Sequence, residues 1–266
     1  GDHPLGWSIL GSVDTIQNMP RETLTDFIHT HYAPNNMVLV ASGAVNHAAI
    51  VDQAQKIFGD LSTKKPHTPA PAKYRGGDHR LQKDLEQTNL ILAFEGVDYN
   101  SDDFYTLSVL AVILGDGMSS RLFQEIREKR GLVYSISSFI DSYADSGLFG
   151  FHAGTGPELI AELIPVLCGE LVRASGSFTS EEINRAKAQF RAQNVMALES
   201  TFRRAEKLGH QLIKYGRTIS LDEILAKIDA VDAAHLDTLA KRIFSSKPTF
   251  ATVGPLGKVE NFDAIE

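Results

Sequence analysis

The chain carries one pattern of helix, turn and strand near each of its ends, and this repeat limits how it can fold. The first copy is Ile16–Ser42 and the second is Ile228–Gly254. Their apolar positions align without a gap: Ile16 with Ile228, Met19 with Val231, Leu24 with Leu236, and Tyr32 with Phe244. In both copies the helix is followed by a short turn with a proline, an apolar strand and a glycine. The glycines, Gly43 and Gly254, are one residue out of step between the copies. The repeat predicts two homologous domains.

A basic, proline-rich stretch at residues 61–73 lies between the two copies. This composition is typical of an interdomain linker. The second copy follows a long stretch of helix and strand patterns, whereas only a short stretch precedes the first copy. We therefore expect residues 1–60 to be the C-terminal part of a truncated first domain. Residues 74–266 are expected to form the second domain.

Composition excludes several classes of protein. The 266 residues are 43% hydrophobic and 22% charged, as in ordinary soluble globular proteins. The net charge of -7 argues against nucleic acid or an anionic membrane as the main partner. No apolar run approaches the roughly 18 residues of a membrane span. Cys168 is the single cysteine, in an apolar helical pattern, so it is interpreted as a small core residue.

Hydrophobic periodicity after residue 74 predicts strands first and helices afterwards. An apolar strand is expected at 89–97, and a buried helix from Asp102 to Gly115. A second helix with a serine cap ends at Gly131, and two strands then meet at a tight turn around 145–147. Four helices follow, at 157–174, 179–200, 201–216 and 220–231. Thr179 or Ser180 is the predicted cap of the second of these, and Glu182 completes a capping box. This order predicts an α+β fold with a mainly antiparallel sheet covered by helices.

A search for catalytic motifs finds no complete active site. The nine histidines form neither H-E-x-x-H nor H-x-x-E-H, and His29 and His31 are spaced so that they face different sides of a helix. There is no G-x-S-x-G elbow. The glycines at 154–156 lack the lysine of a phosphate-binding loop. On the residues alone, no metal ligand set can be assigned.

Arg127 and Tyr134 are the two residues for which a functional role competes with a structural one. An arginine near a helix C-terminus suits the helix dipole, and a tyrosine suits a strand. The junction of a helix end and a following strand can also edge a cleft. There, a guanidinium and a phenol can donate hydrogen bonds to a peptide carbonyl and to the oxyanion formed from it.

Three segments resemble the pitrilysin (insulinase) family of zinc metallopeptidases. The similarity is greatest to the β-subunit type of the mitochondrial processing peptidase and its bacterial relatives. The segments are "GDHPLGWSILGSVDTIQNM" at 1–19, "HYAPNNMVLVASGAV" at 31–45 and "LGDGMSSRLFQEIREKRGLVYSI" at 114–136. The last is the most specific. The absence of a long glycine-rich insertion before residue 119 fits the β type.

The resemblance implies tandem α+β domains around a closed chamber. In the family the first domain binds Zn²⁺ through H-x-x-E-H and a distal glutamate. The second domain supplies an arginine and a tyrosine that bind substrate and transition state, and these fall on Arg127 and Tyr134. The zinc motif would lie upstream of Gly1, and the duplicated position at 111–115 is apolar. We therefore expect Zn²⁺ in the full-length enzyme and none bound by this fragment.

These implications give three functional hypotheses. The first is the C-terminal portion of a zinc metalloendopeptidase, inactive by itself, that acts on a peptide or unfolded protein. The second is a non-catalytic subunit of a heterodimeric peptidase, and the third is a structural core-type subunit without proteolysis. Expected partners are the missing N-terminal portion or a zinc-bearing subunit, in a homo- or heterodimer. The resemblance implies a soluble protein of the bacterial cytoplasm or periplasm, or of the mitochondrial matrix if eukaryotic.

Overall fold

The computed structural model describes residues 3–65 and 69–265, and these form two compact units. Unit 1 comprises Gly1–Ala72 and Val195–Ile219, and unit 2 comprises Lys73–Asn194 and Ser220–Glu266. The predicted linker at 61–73 includes residues 66–68, which lie outside the described residues. The assignment of 1–60 and 74–266 to homologous domains stays a prediction.

Unit 1 is built from helices, and few of its side chains are buried. The helices are α1 (Val13–Gln17), α2 (Arg21–His31), α3 (His47–Phe58) and α7 (Thr201–Tyr215), with short 3₁₀ turns at Pro4–Gly6 and Pro34–Asn36. Among the described residues of 3–72, only Ala33 is buried. The apolar strand predicted for the first copy is not formed. Residues 37–42 are outside any helix or strand because no described strand lies beside them to pair with.

Unit 2 contains a five-stranded sheet in the order β1-β5-β2-β4-β3. Its strands are β1 (Gly77–Gln82), β2 (Thr88–Glu95), β3 (Ser135–Ser142), β4 (Gly147–Thr155) and β5 (Thr249–Gly254). Three of the four pairings are antiparallel, and β1 with β5 is parallel. This confirms the predicted α+β fold with a mainly antiparallel sheet. Strand β1 was not predicted, because "GDHRLQ" is polar and lies at the edge of the sheet.

Buried and more accessible side chains alternate along the strands, as expected of a sheet that helices cover on one face. Leu90, Leu92, Phe149, Phe151 and Phe250 are buried and belong to one hydrophobic core. On the other face Ile91, His152 and Ala251 remain partly accessible, whereas Ala93 is buried. Period-two alternation of this kind is expected when helices pack on one face only.

Helices of unit 2 complete that core. They are α4 (Phe104–Gly115), α5 (Ile160–Ala174), α6 (Ser180–Ala197), α8 (Leu221–Asp229) and α9 (Ala233–Phe244), and α6 continues past the division between the units. Helix α4 is apolar on all sides and is buried from Thr106 to Gly115, as expected of a helix enclosed by the core. The helix predicted from Pro157 begins later, at Ile160, after a turn. In the described part of the chain, no helix combines the length and apolar character needed to cross a bilayer.

Candidate substrate-binding site

Arg127 lies on a π-helix rather than on the regular α-helix that the sequence suggested. The π-helix is Phe123–Glu128, and the Lys129 amide donates to the Gln124 carbonyl at 3.0 Å, five residues back. Leu122 and Ile126 are fully buried and anchor the segment to the core. π-Helical turns are rare and are frequent at functional sites.

The Arg127 guanidinium is held at the surface by two neighbours. Its central carbon lies 4.7 Å from the centroid of the Phe123 ring, and Nη1 lies 3.7 Å from Glu128 Oε1. The side chain is 42% exposed. Within the described chain its N–H groups form no hydrogen bond, and a stacked, partly solvated guanidinium retains donors for a ligand.

Tyr134 is fixed by its backbone and projects its ring into solvent. Its amide donates to the Gly154 carbonyl at 2.8 Å, next to the first β3–β4 pair, Ser135 with Gly154. The side chain is 63% exposed, and its phenol has no hydrogen-bond partner among the described residues. An exposed tyrosine with a fixed backbone and a free hydroxyl is suited to donate to a ligand.

The connection between Arg127 and Tyr134 is rigid. Gly131 adopts a φ of 65°, and its amide donates to the Arg127 carbonyl at 3.1 Å, which ends the helix as predicted. Leu132 and Val133 are buried, and Thr155 Oγ1 donates to the Leu132 carbonyl at 2.5 Å. The structure therefore places both residues on one anchored segment. No hydrogen bond, ion pair or ring contact joins their two side chains in the described chain.

A polar group of side chains surrounds the strand position on which Tyr134 is anchored. A Cβ atom added to Gly154 would lie 3.3 Å from Asn89 Oδ1, 3.5 Å from Gln87 Oε1 and 3.6 Å from Ser135 Oγ. The glycine thus leaves space between these polar atoms. Sequence reasoning did not identify this group, because its members come from β3, from the start of β2 and from the residue before β2, and they meet at a glycine of β4.

The helix of the site is joined to α6 by a charged pair that sequence reasoning also missed. Arg121 donates to Glu182 through Nε at 2.7 Å and Nη2 at 2.9 Å, and through Nη1 to Ser177 Oγ at 2.8 Å. Glu182 also accepts from the Thr179 amide, as in the predicted capping box. These bonds, above all those from Arg121, lower the pKa of Glu182 to about 2. The pair links the start of the site helix to the start of α6.

A zinc ion does not fit the described residues. Across residues 3–65 and 69–265, no group of three or more histidine, cysteine, aspartate or glutamate side chains is arranged to hold a metal. The position that would correspond to a duplicated zinc motif lies on α4, where Ala111, Ile113 and Leu114 are buried in the core. This part of the chain offers hydrogen-bond donors to a ligand and no ligand set for a metal.

Comparison with known proteins identifies the family and the fold of this chain. The family described as "Peptidase M16 inactive domain" matches residues 18–190. Among solved structures, a chain of complex III2 from Candida albicans, with Inz-5 bound, superposes with a TM-score of 0.86 at 23% identity. The match covers 96% of this chain and 64% of that one, and at this identity it shows the fold alone.

Curated relatives are bacterial proteins named uncharacterized zinc proteases. One from Rickettsia bellii is 41% identical over 255 residues, which cover 96% of this chain and 62% of the relative. One from Streptomyces coelicolor is 33% identical, covering 96% and 58%, and YmxG of Bacillus subtilis is 31% identical, covering 97% and 64%. The chain therefore spans less than two thirds of each relative. Because the family match extends over more than half of its length, the chain belongs to the peptidase M16 family, as its resemblance to the pitrilysin family predicted.

Proposed function

We propose that this chain is the C-terminal, inactive-type portion of a zinc metalloendopeptidase and that it supplies substrate contacts through Arg127 and Tyr134. The observation that carries the proposal is the anchored segment 127–134. It presents one guanidinium and one phenol to solvent from a rigid, buried connection. The names of the bacterial relatives support the assignment to a protease.

In this proposal Arg127 binds the carbonyl groups of a peptide and holds the backbone in place. The phenol of Tyr134 donates to the oxygen of the carbonyl that is attacked, and so stabilises the negative charge that develops there. Neither role requires this chain to bind the metal. In this proposal the zinc ligands belong to polypeptide outside the described residues.

Substitution in the complete protein tests these roles. Tyr134→Phe is expected to lower kcat/KM for peptide hydrolysis by roughly 10- to 1000-fold, the range for losing one oxyanion donor. Arg127→Ala is expected to raise KM and lower kcat, because it removes a charged donor from the peptide backbone. Zinc content and thermal stability should remain those of the unchanged protein.

Two substitutions provide matched controls. Tyr143→Phe alters a tyrosine that is also partly exposed, at the other end of β3, and Arg130→Ala removes a nearby exposed cation. Both should leave kcat/KM within about twofold. Unchanged turnover in Tyr134→Phe and Arg127→Ala, or equal losses in the controls, would refute the proposed contacts.

A non-catalytic subunit is the second candidate function. The match to an inactive domain and the fold shared with a chain of the complex III2 assembly favour it. Under this alternative the complete protein by itself hydrolyses no peptide and contains no zinc. If activity and stoichiometric zinc appear only when a second protein is added, the subunit assignment replaces the first.

A further inference from the structure

The open face of the sheet in unit 2 carries an apolar groove that the proposed contacts leave unused. Its volume is about 260 Å³. The apolar lining comes from β1, β5 and β2 and consists of Leu81, Ala251, Val253 and Ile91. His79 and His152 also line the groove, at the two ends of a row that the strand register runs through Ala251 and Ile91. The groove therefore combines an apolar floor with a polar group at each side.

The size and lining of the groove indicate what it can hold. Ala251 leaves space in the middle, because its partners in the register, His79 on β1 and Ile91 on β2, have larger side chains. A volume of about 260 Å³ lies below the roughly 300–1,000 Å³ of pockets that hold a whole small molecule. It suits one large side chain. The apolar lining favours an aromatic or branched aliphatic side chain over a charged one, which would lose its hydration there.

A polar row of strand positions joins the groove to Tyr134. In the register Val253 lies beside Asn89, Asn89 beside Gly154, and Gly154 beside Ser135. Tyr134 precedes Ser135, and its amide donates to the Gly154 carbonyl at 2.8 Å. The side chains of Asn89 and Ser135 form no hydrogen bond with other described residues. A peptide that lies along this row therefore meets free hydrogen-bonding groups before it reaches the apolar groove.

The strand spacing sets the distance from Tyr134 to the groove. The sheet order β5-β2-β4-β3 puts three strand spacings between Val253 on β5 and Ser135 on β3. At about 4.8 Å each, these spacings span about 14 Å. An extended peptide covers that distance with about four residues, at roughly 3.3–3.6 Å per residue.

We propose that the groove binds one large apolar side chain of the peptide substrate, about three to five residues from the bond that is cleaved. The peptide backbone crosses the open face of the sheet between Tyr134 and the groove, and Asn89 and Ser135 form hydrogen bonds with its peptide groups. The apolar class of the bound side chain follows from the lining alone. The number of residues rests on the proposed contact between Tyr134 and the carbonyl that is attacked.

Peptide binding to the protein expressed from its complete gene tests the groove without requiring turnover. The probes are short fluorescein-labelled peptides of alanine and serine, with and without a single phenylalanine. A chelator first removes metal from the protein, so that no peptide is hydrolysed. Burial of most of one phenyl ring is expected to lower Kd by about tenfold or more, measured by fluorescence anisotropy.

Two substitutions change the groove in different ways. Ala251→Leu fills it, and Leu81→Ser removes part of its apolar lining on the edge strand β1. Either change is expected to bring the two Kd values within about twofold of each other. Leu85→Ser is the matched control, because Leu85 and Leu81 are each 44% exposed and Leu85 does not line the groove. The control should retain the difference between the two peptides.

A position scan tests the spacing. In a peptide that the complete protein cleaves at one bond, a phenylalanine is moved through a background of alanine, and kcat/KM is measured for each position. The largest increase is expected about three to five residues from the cleaved bond. Ala251→Leu should remove that increase.

The outcomes separate this proposal from the role of Tyr134. Equal binding of the two peptides, or a preference that survives in both Ala251→Leu and Leu81→Ser, would overturn the assignment of the groove. A largest increase at a residue next to the cleaved bond would overturn the spacing. Normal turnover in Tyr134→Phe, together with a lost preference in Ala251→Leu, would retain the groove and refute the role of Tyr134.

Discussion

The two copies of the helix–turn–strand pattern share their sequence periodicity and differ in what surrounds them. Leu236 of the second copy is completely buried, whereas its counterpart Leu24 is 54% exposed. Ile228 and Ile16 show the same contrast, at 1% and 60%. Periodicity thus selects the type of element, and burial depends on whether a neighbouring element is present to cover it.

The largest expected difference in stability between the copies is at the strand position whose side chain, in unit 2, packs in the core. Phe250→Ala removes a fully buried ring and should lower the free energy of unfolding of the 266-residue chain by about 3–5 kcal/mol. The aligned Val38→Ala removes a partly exposed side chain and should cost less than about 0.5 kcal/mol. Urea denaturation followed by circular dichroism measures both. Similar losses for the two variants would contradict the contrast in burial.

A smaller difference is expected at the glycines that end the two copies. Both have a φ that other residues rarely adopt, so alanine is strained at either position. At Gly254 an added Cβ would also lie 2.6 Å from the Gln87 carbonyl oxygen, whereas at Gly43 the nearest atom, on Thr201, is 3.8 Å away. Gly254→Ala should cost about 3 kcal/mol and Gly43→Ala about 1 kcal/mol.

Thermal unfolding of the two alanine variants measures this difference. Equal losses would mean that strand pairing around Gly254 can relax to accommodate a methyl group. A larger loss at Gly43 would show that its surroundings are packed more tightly than those of Gly254.

Acid should weaken unit 2 through Glu182. Because its folded pKa, about 2, lies below its ordinary value near 4.5, the carboxylate stabilises the fold above pH 4.5. That stabilisation is lost as the pH falls from about 4.5 toward 2. Allowing for solvent screening, Glu182→Gln should cost about 1–2 kcal/mol at pH 7 and almost nothing at pH 2.

Urea unfolding of Glu182→Gln at several pH values measures this contribution. Glu181→Gln, at an exposed neighbouring carboxylate, serves as the control and should cost little at pH 7. A loss in Glu182→Gln that is independent of pH would exclude the ion pair with Arg121 as its cause.

A small effect is expected at the loop after α3 in unit 1. Asn35 holds the loop after α3 by two bonds, donating to the Lys64 carbonyl at 2.7 Å and accepting from the Lys64 amide at 3.2 Å. Both groups are exposed, so Asn35→Ala should cost less than about 1 kcal/mol. It should nevertheless speed hydrogen exchange at the Lys64 amide. Unchanged exchange there would show that Asn35 does not hold the loop.

Elements with strong local patterns could be predicted from the sequence. The apolar run of β2, the β3–β4 hairpin and helix α4 were all anticipated, with bounds that differ by a few residues. The capping box at Thr179 and Glu182 was also correct, because its bonds join residues three apart. Strand β1 was missed, since its pairing with β5 joins residues that are far apart in the sequence.

The candidate site was predicted only in part. Arg127 and Tyr134 were identified from the sequence and the resemblance that it carries, and their role stays a proposal. The π-helix was not foreseen, because buried Leu122 and Ile126 have a spacing that an α-helix also satisfies. The bonds of Arg121 to Glu182, 61 residues away, depend on the packing of two helices.

The sequence by itself determined the repeat, the α+β class, most helices and strands of unit 2, and the family. These features follow from local periodicity and short motifs, which depend on interactions between residues that are close in the sequence. The tertiary structure decided which copy of the repeat is buried and which is exposed. It also decided that β5 pairs with both β1 and β2, and that residues 37–42 pair with nothing in the described chain. A strand forms only when a second strand satisfies its backbone, and that partner is absent from the local sequence.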